Sequence, residues 1–145
     1  MIITVDNGIS SFEAAEICKE RKIDLIITDH HTPSEKLPDA YAIINPKTSP
    51  DFPFKDICGA EVAWYLCAAI KYEMKLNKDL REYLDILAIA IIADVMPLLN
   101  MNRVLVSMGL KRLNRALKPF SRVIKKFFKE IKASDVAFSL SLIHI

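Results

Sequence analysis

Two short, mainly apolar runs, Met1–Val5 and Asp24–Thr28, do most to restrict what this chain can fold into. Each is continuous rather than alternating, which predicts a strand covered on both faces, as parallel sheets require. Between them, Phe12 to Lys22 reads as a crossover helix. Ser10 or Ser11 can cap it and Glu13 lies in its first turn. Ala14, Ala15, Ile17 and Cys18 are expected to face inward, and Lys19, Glu20, Arg21 and Lys22 outward. A strand, a helix and a parallel strand bring two carboxyl ends to one sheet edge, where open α/β folds bind ligands. The first run opens into Asp6-Asn7-Gly8 and the second into Asp29-His30-His31, so these stretches are expected to meet.

Tyr41–Ile44 predicts a third short strand, stopped by Asn45-Pro46. Residues 45–56 hold Pro46, Pro50 and Pro53 and should be extended or turning, with Phe52 and Phe54 to bury. From Cys58-Gly59 onward the spacing is helical. Val62, Tyr65, Leu66, Ala69, Ile70 and Met74 mark one helix, and Leu80, Leu84, Leu87 and Ile91 mark a second that breaks near Pro97. Asn102–Leu117 and Phe120–Ile131 are two more. In the last, Phe120, Ile124, Phe127, Phe128 and Ile131 share a face, with Lys125, Lys126, Lys129 and Lys132 mostly opposite. The fold class is therefore α/β, a parallel sheet with crossover helices followed by a helical segment.

The chain's 145 residues amount to one ordinary domain, and 52% hydrophobic content is too rich for disorder. The longest apolar run, Ile86–Leu99, is broken by Asp94 and Pro97 and is shorter than a membrane span. No basic stretch leads into an apolar signal sequence, so a soluble, cytoplasmic protein is expected. The three cysteines form no CxxC pair and read as small buried residues in a reducing compartment.

Charge is divided unevenly along the chain. Residues 1–102 carry 10 basic against 16 acidic side chains, and residues 103–132 carry 10 basic against Glu130 alone. The basic segment is either a solvated amphipathic face or a track for a nucleic-acid backbone. Arg103, Lys111, Arg112, Lys125, Lys126 and Lys129 are the candidates for such a track.

Asp6 precedes Asn7-Gly8, a turn pair tolerant of positive φ, and alone is as readily a loop aspartate as a ligand. Asp29-His30-His31 is harder to explain as packing. Oxygen ligands mixed with imidazole suit Mn²⁺, Mg²⁺ or Zn²⁺, and the lack of cysteine argues against a structural zinc. In the competing reading Asp29 caps a turn and both histidines are surface residues. Asp94 is the one charged residue between Ile86 and Leu99. If ionised and buried there it needs a partner, either a metal or a group such as Arg103 or a helix N-terminus. Asp6, His30 and Asp94 would supply three ligands, fewer than a two-metal phosphoryl-transfer site takes. No Walker A, GxSxG or HExxH pattern is present.

Thr4-Val-Asp-Asn-Gly-Ile-Ser10, Asp29-His30-His31 and Ile92-Ala-Asp-Val-Met-Pro-Leu98 together resemble the DHH phosphoesterase family. Thr32-Pro33, Ala42-Ile-Ile-Asn-Pro46, Cys58-Gly59-Ala60 and the stretch from Asn102-Arg103 to Leu113 are similar to its bacterial single-stranded-DNA exonucleases. That resemblance implies Mn²⁺- or Mg²⁺-dependent hydrolysis of phosphodiester bonds at a two-metal site. Mononucleotides would be released from a 5′ end in DNA repair and recombination, with helicase and single-strand-binding protein as partners. By position it makes Asp6, His30 and Asp94 metal ligands and Asp29 an orienting or metal-site carboxylate. His31 would sit near the scissile phosphate, so Asp6, His30, His31 and Asp94 form the implied catalytic set. The family places an Asp-x-Asp pair upstream of such a first strand and a substrate-binding domain downstream. The chain is thus expected to be an internal fragment of low activity, lacking the family's N-terminal strands. Residues 1–100 would be a partial DHH domain, 101–145 its helical continuation, and His144 a tail residue without function. Two alternatives stand beside this: an oligoribonuclease or small-nucleotide phosphatase, and a single-strand-binding fragment that does not cut.

Overall fold

The computed structural model describes residues 1–140; residues 141–145, and with them His144, lie outside the described residues. The chain forms two compact units, Met1–Met74 and Lys75–Ile145. The division expected after residue 100 falls within the second of them.

The first unit is built on a three-stranded parallel sheet in the order β1 (Ile2–Val5), β2 (Leu25–Thr28), β3 (Ala42–Ile44). Ile2 pairs with Leu25 and Val5 with Thr28; on the other side Ile26 pairs with Ala42 and Thr28 with Ile44. This register ends β1 and β2 level with one another, so the residues that follow them emerge side by side. Helix α1 (Phe12–Glu20) makes the crossover and stops at Arg21, after which Lys22 takes a positive φ of 55°. Ala15 and Cys18 of α1 join Leu25 and Ile27 in a buried cluster, against which Ile23, Ala40 and Ile43 pack. Ala14 and Ile17, expected to face inward, are exposed, because α1 touches the sheet along the single stripe of Ala15 and Cys18. Among the described residues strand β1 stands at the edge of the sheet, and three of its four residues are exposed.

The proline-containing stretch after β3 turns repeatedly, and the Phe52 ring meets Tyr65 edge-on at 5.8 Å. It leads into α2 (Gly59–Glu73), whose first turn is buried at Gly59, Glu61 and Val62. Farther along, Ala69 and Ile70 are exposed, so its apolar face is covered only near the sheet. All three cysteines are free; Cys18 and Cys58 are buried as expected, whereas Cys67 is exposed on α2.

The second unit is helical. A 3₁₀ turn (Leu80–Tyr83) runs into α3 (Leu84–Ala93), which packs against α4 (Asn100–Asn114). Leu84, Leu87, Ala88 and Ile91 of α3 and Leu105, Val106 and Leu113 of α4 are buried. The helix expected over Phe120–Ile131 is shorter: α5 covers Pro119–Ile124, and α6 is a single turn at Ala133–Asp135. Asn114 explains the break. Its side chain donates to the Ile131 carbonyl at 2.8 Å and accepts from the Ile131 N–H at 2.8 Å. Both backbone groups of Ile131 are thereby withdrawn from helical pairing and Ile131 is drawn into the core, while Phe127 is left 77% exposed. Among the described residues no helix is long and apolar enough to cross a membrane.

Candidate metal centre

The site grows from the carboxyl ends of β1 and β2. There the Asp6 N–H donates to the Thr28 carbonyl at 2.9 Å, and the Thr28 hydroxyl donates to the Thr4 carbonyl at 2.6 Å. These two bonds hold the strand ends together at the point where the functional side chains begin. Asp6 itself takes a φ of 65°, and Gly8 a φ of 114°. The turn between them is closed by the Thr4 hydroxyl donating to the Asn7 carbonyl at 2.7 Å.

Asp29 is 1% exposed and carries a dense set of hydrogen bonds. One oxygen accepts from the Ile9 N–H at 2.9 Å. The other accepts from the N–H groups of His30 (2.8 Å) and His31 (3.1 Å) and lies 2.7 Å from His31 Nδ1. Burial alone would raise its carboxyl, but the bonds from Ile9, His31 and His30 outweigh it and hold Asp29 below the usual aspartate range. Both of its oxygens accept hydrogen bonds within the protein, and through Oδ1 it holds the His31 ring. With Nδ1 of His31 turned to Asp29, Nε2 is the ring nitrogen left for a ligand.

Asp6, His30 and His31 each present a ligand atom, and these atoms lie within 4.8 Å of one another. His30 is nearly buried, with Nε2 3.2 Å from Asp6 Oδ1. Ligands at about 2.0–2.2 Å from a shared ion stand no more than roughly 4.4 Å apart, so small adjustments would seat one cation. Two imidazoles and a carboxylate suit a borderline divalent ion, and the donor set fits the metal that the sequence pattern implies.

Three further residues lie around this cluster; Gly59 and Asn45 stood in the sequence only within stretches similar to the exonucleases, and Glu61 was not singled out. Gly59, the first residue of α2, sits so close to Asp6 that a Cβ there would lie 2.1 Å from Asp6 Oδ1. The Asp6 carboxylate therefore rests against a helix N-terminus, which favours negative charge. Asn45, fully buried at the end of β3, donates to the His31 carbonyl at 3.0 Å and accepts from the Lys47 N–H at 2.8 Å. Glu61 is fully buried and accepts from the Cys58 N–H at 3.2 Å, and burial pushes its carboxyl up to about 7.

Asp94 lies in the second unit. It caps the C-terminus of α3 with its N–H on the Ala90 carbonyl, and it is exposed. The helix ends there, so the residue stands outside the buried part of the apolar run. Of the basic candidates, Lys111, Lys125 and Lys129 line one recess, joined by Arg115 and Lys132. Arg103 and Lys126 are outside that lining, and Arg112 is half-buried.

The sequence model of the DHH family, N-terminal domain, matches residues 1–91. The single-stranded-DNA-specific exonuclease RecJ of Bacillus subtilis (strain 168) is 44% identical over 116 residues, which cover 79% of this chain and 14% of that protein. RecJ of Escherichia coli (strain K12) is 36% identical over 156 residues, covering 97% of this chain and 27% of that protein. The chain thus spans about a quarter or less of the length of these relatives. Among solved structures, exonuclease RecJ bound to manganese is similar with a TM-score of 0.84 and 34% identity, over 96% of this chain and 36% of that one. RecJ of Thermus thermophilus in complex with Mg²⁺ gives a TM-score of 0.69 and 31% identity, over 96% of this chain and 19% of that one.

Proposed function

This chain belongs to the DHH family, and from that premise we propose that Asp6, His30 and His31 form part of a divalent-metal centre that hydrolyses phosphodiester bonds of single-stranded DNA. The observation that carries this reading is the convergence of one carboxylate and two imidazoles within 4.8 Å at the carboxyl edge of a parallel sheet. Support comes from relatives whose described activity is single-stranded-DNA-specific exonuclease and from similar structures that hold Mn²⁺ or Mg²⁺.

In this reading a bound divalent ion supplies Lewis acidity to the attacking water and to the phosphate oxygens. The chain's own groups do the rest. Asp6 and His30 Nε2 hold the ion, and the left-handed backbone at Asp6 and the helix behind it fix the carboxylate. Asp29 accepts from Nδ1 of His31 and so keeps the tautomer whose Nε2 lone pair is free to ligate a divalent ion. Asp94 is proposed as a metal ligand from the family resemblance of its stretch alone. Cleavage proceeds from a 5′ end in the cytoplasm, as part of DNA repair and recombination beside a helicase and a single-strand-binding protein. Three clustered ligands hold one ion, whereas a two-metal centre with ions about 3.5–4 Å apart needs bridging carboxylates beyond them. The 145-residue chain should therefore bind Mn²⁺ weakly and turn over slowly.

Mn²⁺ binding, followed by electron paramagnetic resonance, tests the centre directly. Asp6→Ala and His30→Ala should each abolish the bound signal with the fold intact by circular dichroism. Binding unchanged in both would overturn the assignment. Single-stranded DNA labelled separately at its 5′ and 3′ ends then tests the chemistry. Stepwise loss from the 5′ label, absent in Asp6→Ala and Asp94→Ala, supports the exonuclease; degradation of di- and trinucleotides alone would favour an oligoribonuclease or small-nucleotide phosphatase.

A further inference from the structure

The second unit contains a recess of about 680 Å³ between the C-terminal half of α4 and the segment that leads into α6. Lys111 and Arg115 project from α4 and its C-terminus, and Lys125, Lys129 and Lys132 come from the opposite wall, with Glu130 the one acid in the lining. Among the described residues none of these five cations is in an ion pair, whereas Lys118 nearby is paired with Asp85 at 2.7 Å. The recess is a built feature. Asn114 clamps Ile131 from α4 through two bonds of 2.8 Å, and Lys125 Nζ caps the Lys129 carbonyl. That clamp carries Lys129 and Lys132 across to face Lys111 and Arg115, instead of leaving them along a continuous helix.

An array of unneutralised cations around a concavity is suited to a polyanion. Phe127 indicates which one. It lies between Lys125 and Lys129 in sequence, beyond the residues that line the recess, and is 77% exposed. Exposed aromatic rings among phosphate-binding cations offer a stacking platform to unpaired bases, which a duplex or an acidic peptide lacks. We propose that this recess binds the phosphodiester backbone of single-stranded nucleic acid, with Phe127 stacking on a base, as a site separate from the Asp6–His30–His31 cluster. The site rests on the single-strand reading given above, but it does not depend on hydrolysis.

The test is therefore a binding measurement in EDTA, where the metal centre plays no part. Fluorescence anisotropy of a labelled oligothymidylate is followed with increasing salt for the 145-residue chain. Comparison is made with Lys111→Glu/Arg115→Glu/Lys129→Glu and with Lys36→Glu/Lys71→Glu/Lys75→Glu, which has the same net charge but an intact recess. Recess reversal should weaken binding on the order of 10- to 100-fold at about 0.1 M salt and flatten the salt slope by about 2, since each phosphate contact contributes about 0.7 to that slope for single strands. The control should retain most of the affinity, and Phe127→Ala should lose several-fold on oligothymidylate with the salt slope unchanged. Equal losses in recess and control variants would overturn the proposal, as would equal affinity for duplex DNA or polyglutamate. Loss of Mn²⁺ binding in Asp6→Ala with oligonucleotide binding intact would separate this site from the metal centre.

Discussion

Asp6 takes a backbone conformation that aspartate and asparagine adopt at lower cost than most side chains, and its carboxylate fills the space a Cβ on Gly59 would occupy. Gly59→Ala should therefore push the Asp6 carboxylate away from His30 and weaken Mn²⁺ binding at least tenfold while far-UV circular dichroism stays native; unchanged Mn²⁺ affinity would show that the carboxylate has room to move. Glu61 makes a second prediction. Burial raises its carboxyl from the ordinary 4.5 to about 7. Below the lower value the group is protonated in both folded and unfolded chains and costs nothing. Between pH 4.5 and 7 the unfolded chain ionises while the folded one resists, so stability falls as pH rises and levels off above 7. The loss is about 3 kcal/mol at most, at about 1.36 kcal/mol for each pH unit between the two values. Urea denaturation across this range should show the decline in the native chain and a shallower one in Glu61→Gln, which keeps the shape and cannot ionise. Parallel curves for the two proteins would place the pH dependence in other groups. Asp6 and the His30-His31 pair were legible in sequence because a carboxylate and two imidazoles after apolar strands are chemically conspicuous. Gly59 was legible only as part of a stretch similar to the exonucleases and Glu61 not at all, since their surroundings come from a helix start docking on a strand end dozens of residues earlier.

Close helix packing sets the structure of the second unit. Gly109 on α4 lies against α3 so tightly that a Cβ would meet the Leu84 carbonyl oxygen at 2.1 Å and the Ala88 Cβ at 2.4 Å. Neither obstacle is the flexible end of a side chain, so the helices must separate to admit even a methyl group. Gly109→Ala should cost about 1–3 kcal/mol through this overpacking, more than offsetting alanine's better helix propensity; a urea midpoint equal to or above the native one would mean that α3 and α4 shift at little cost. Sequence periodicity found α3 and α4 because their buried residues recur at helical spacing over several turns. It extended α5 too far for a specific reason. The apolar residues from Phe120 to Ile131 keep a helical spacing, but Asn114 captures the backbone of Ile131 from another helix. A local pattern does not contain that competition. For α1, periodicity gave the element but widened its buried face, since contact with the sheet covers only Ala15 and Cys18.

The molecule as a whole carries one mismatch between pattern and placement. Ile2-Ile3-Thr4-Val5 is written as a strand covered on both faces, yet β1 ends the sheet order, with β2 its one neighbour among the described residues. Ile2, Ile3 and Val5 are 44%, 43% and 50% exposed. An apolar edge with unpaired backbone groups is a template for adding another strand, and natural edges are commonly blunted by charge, proline or a bulge. β1 contains none of the three. The chain should accordingly self-associate through this edge, burying the isoleucines and pairing the free N–H and carbonyl groups. Sedimentation over a concentration series should show mass rising with concentration for the native chain, while Ile3→Lys, which places a charge on the edge strand, should remain monomeric throughout. If both proteins behave alike, either the edge is too short to recruit a partner strand or association runs through another surface. Ile3→Lys leaves Asp6, His30 and His31 unaltered, so Mn²⁺ binding measured on the monomeric variant also asks whether the metal cluster is complete within one chain. Retained affinity would place all three ligands on a single copy, and affinity lost together with association would mean that a second copy holds the cluster in shape.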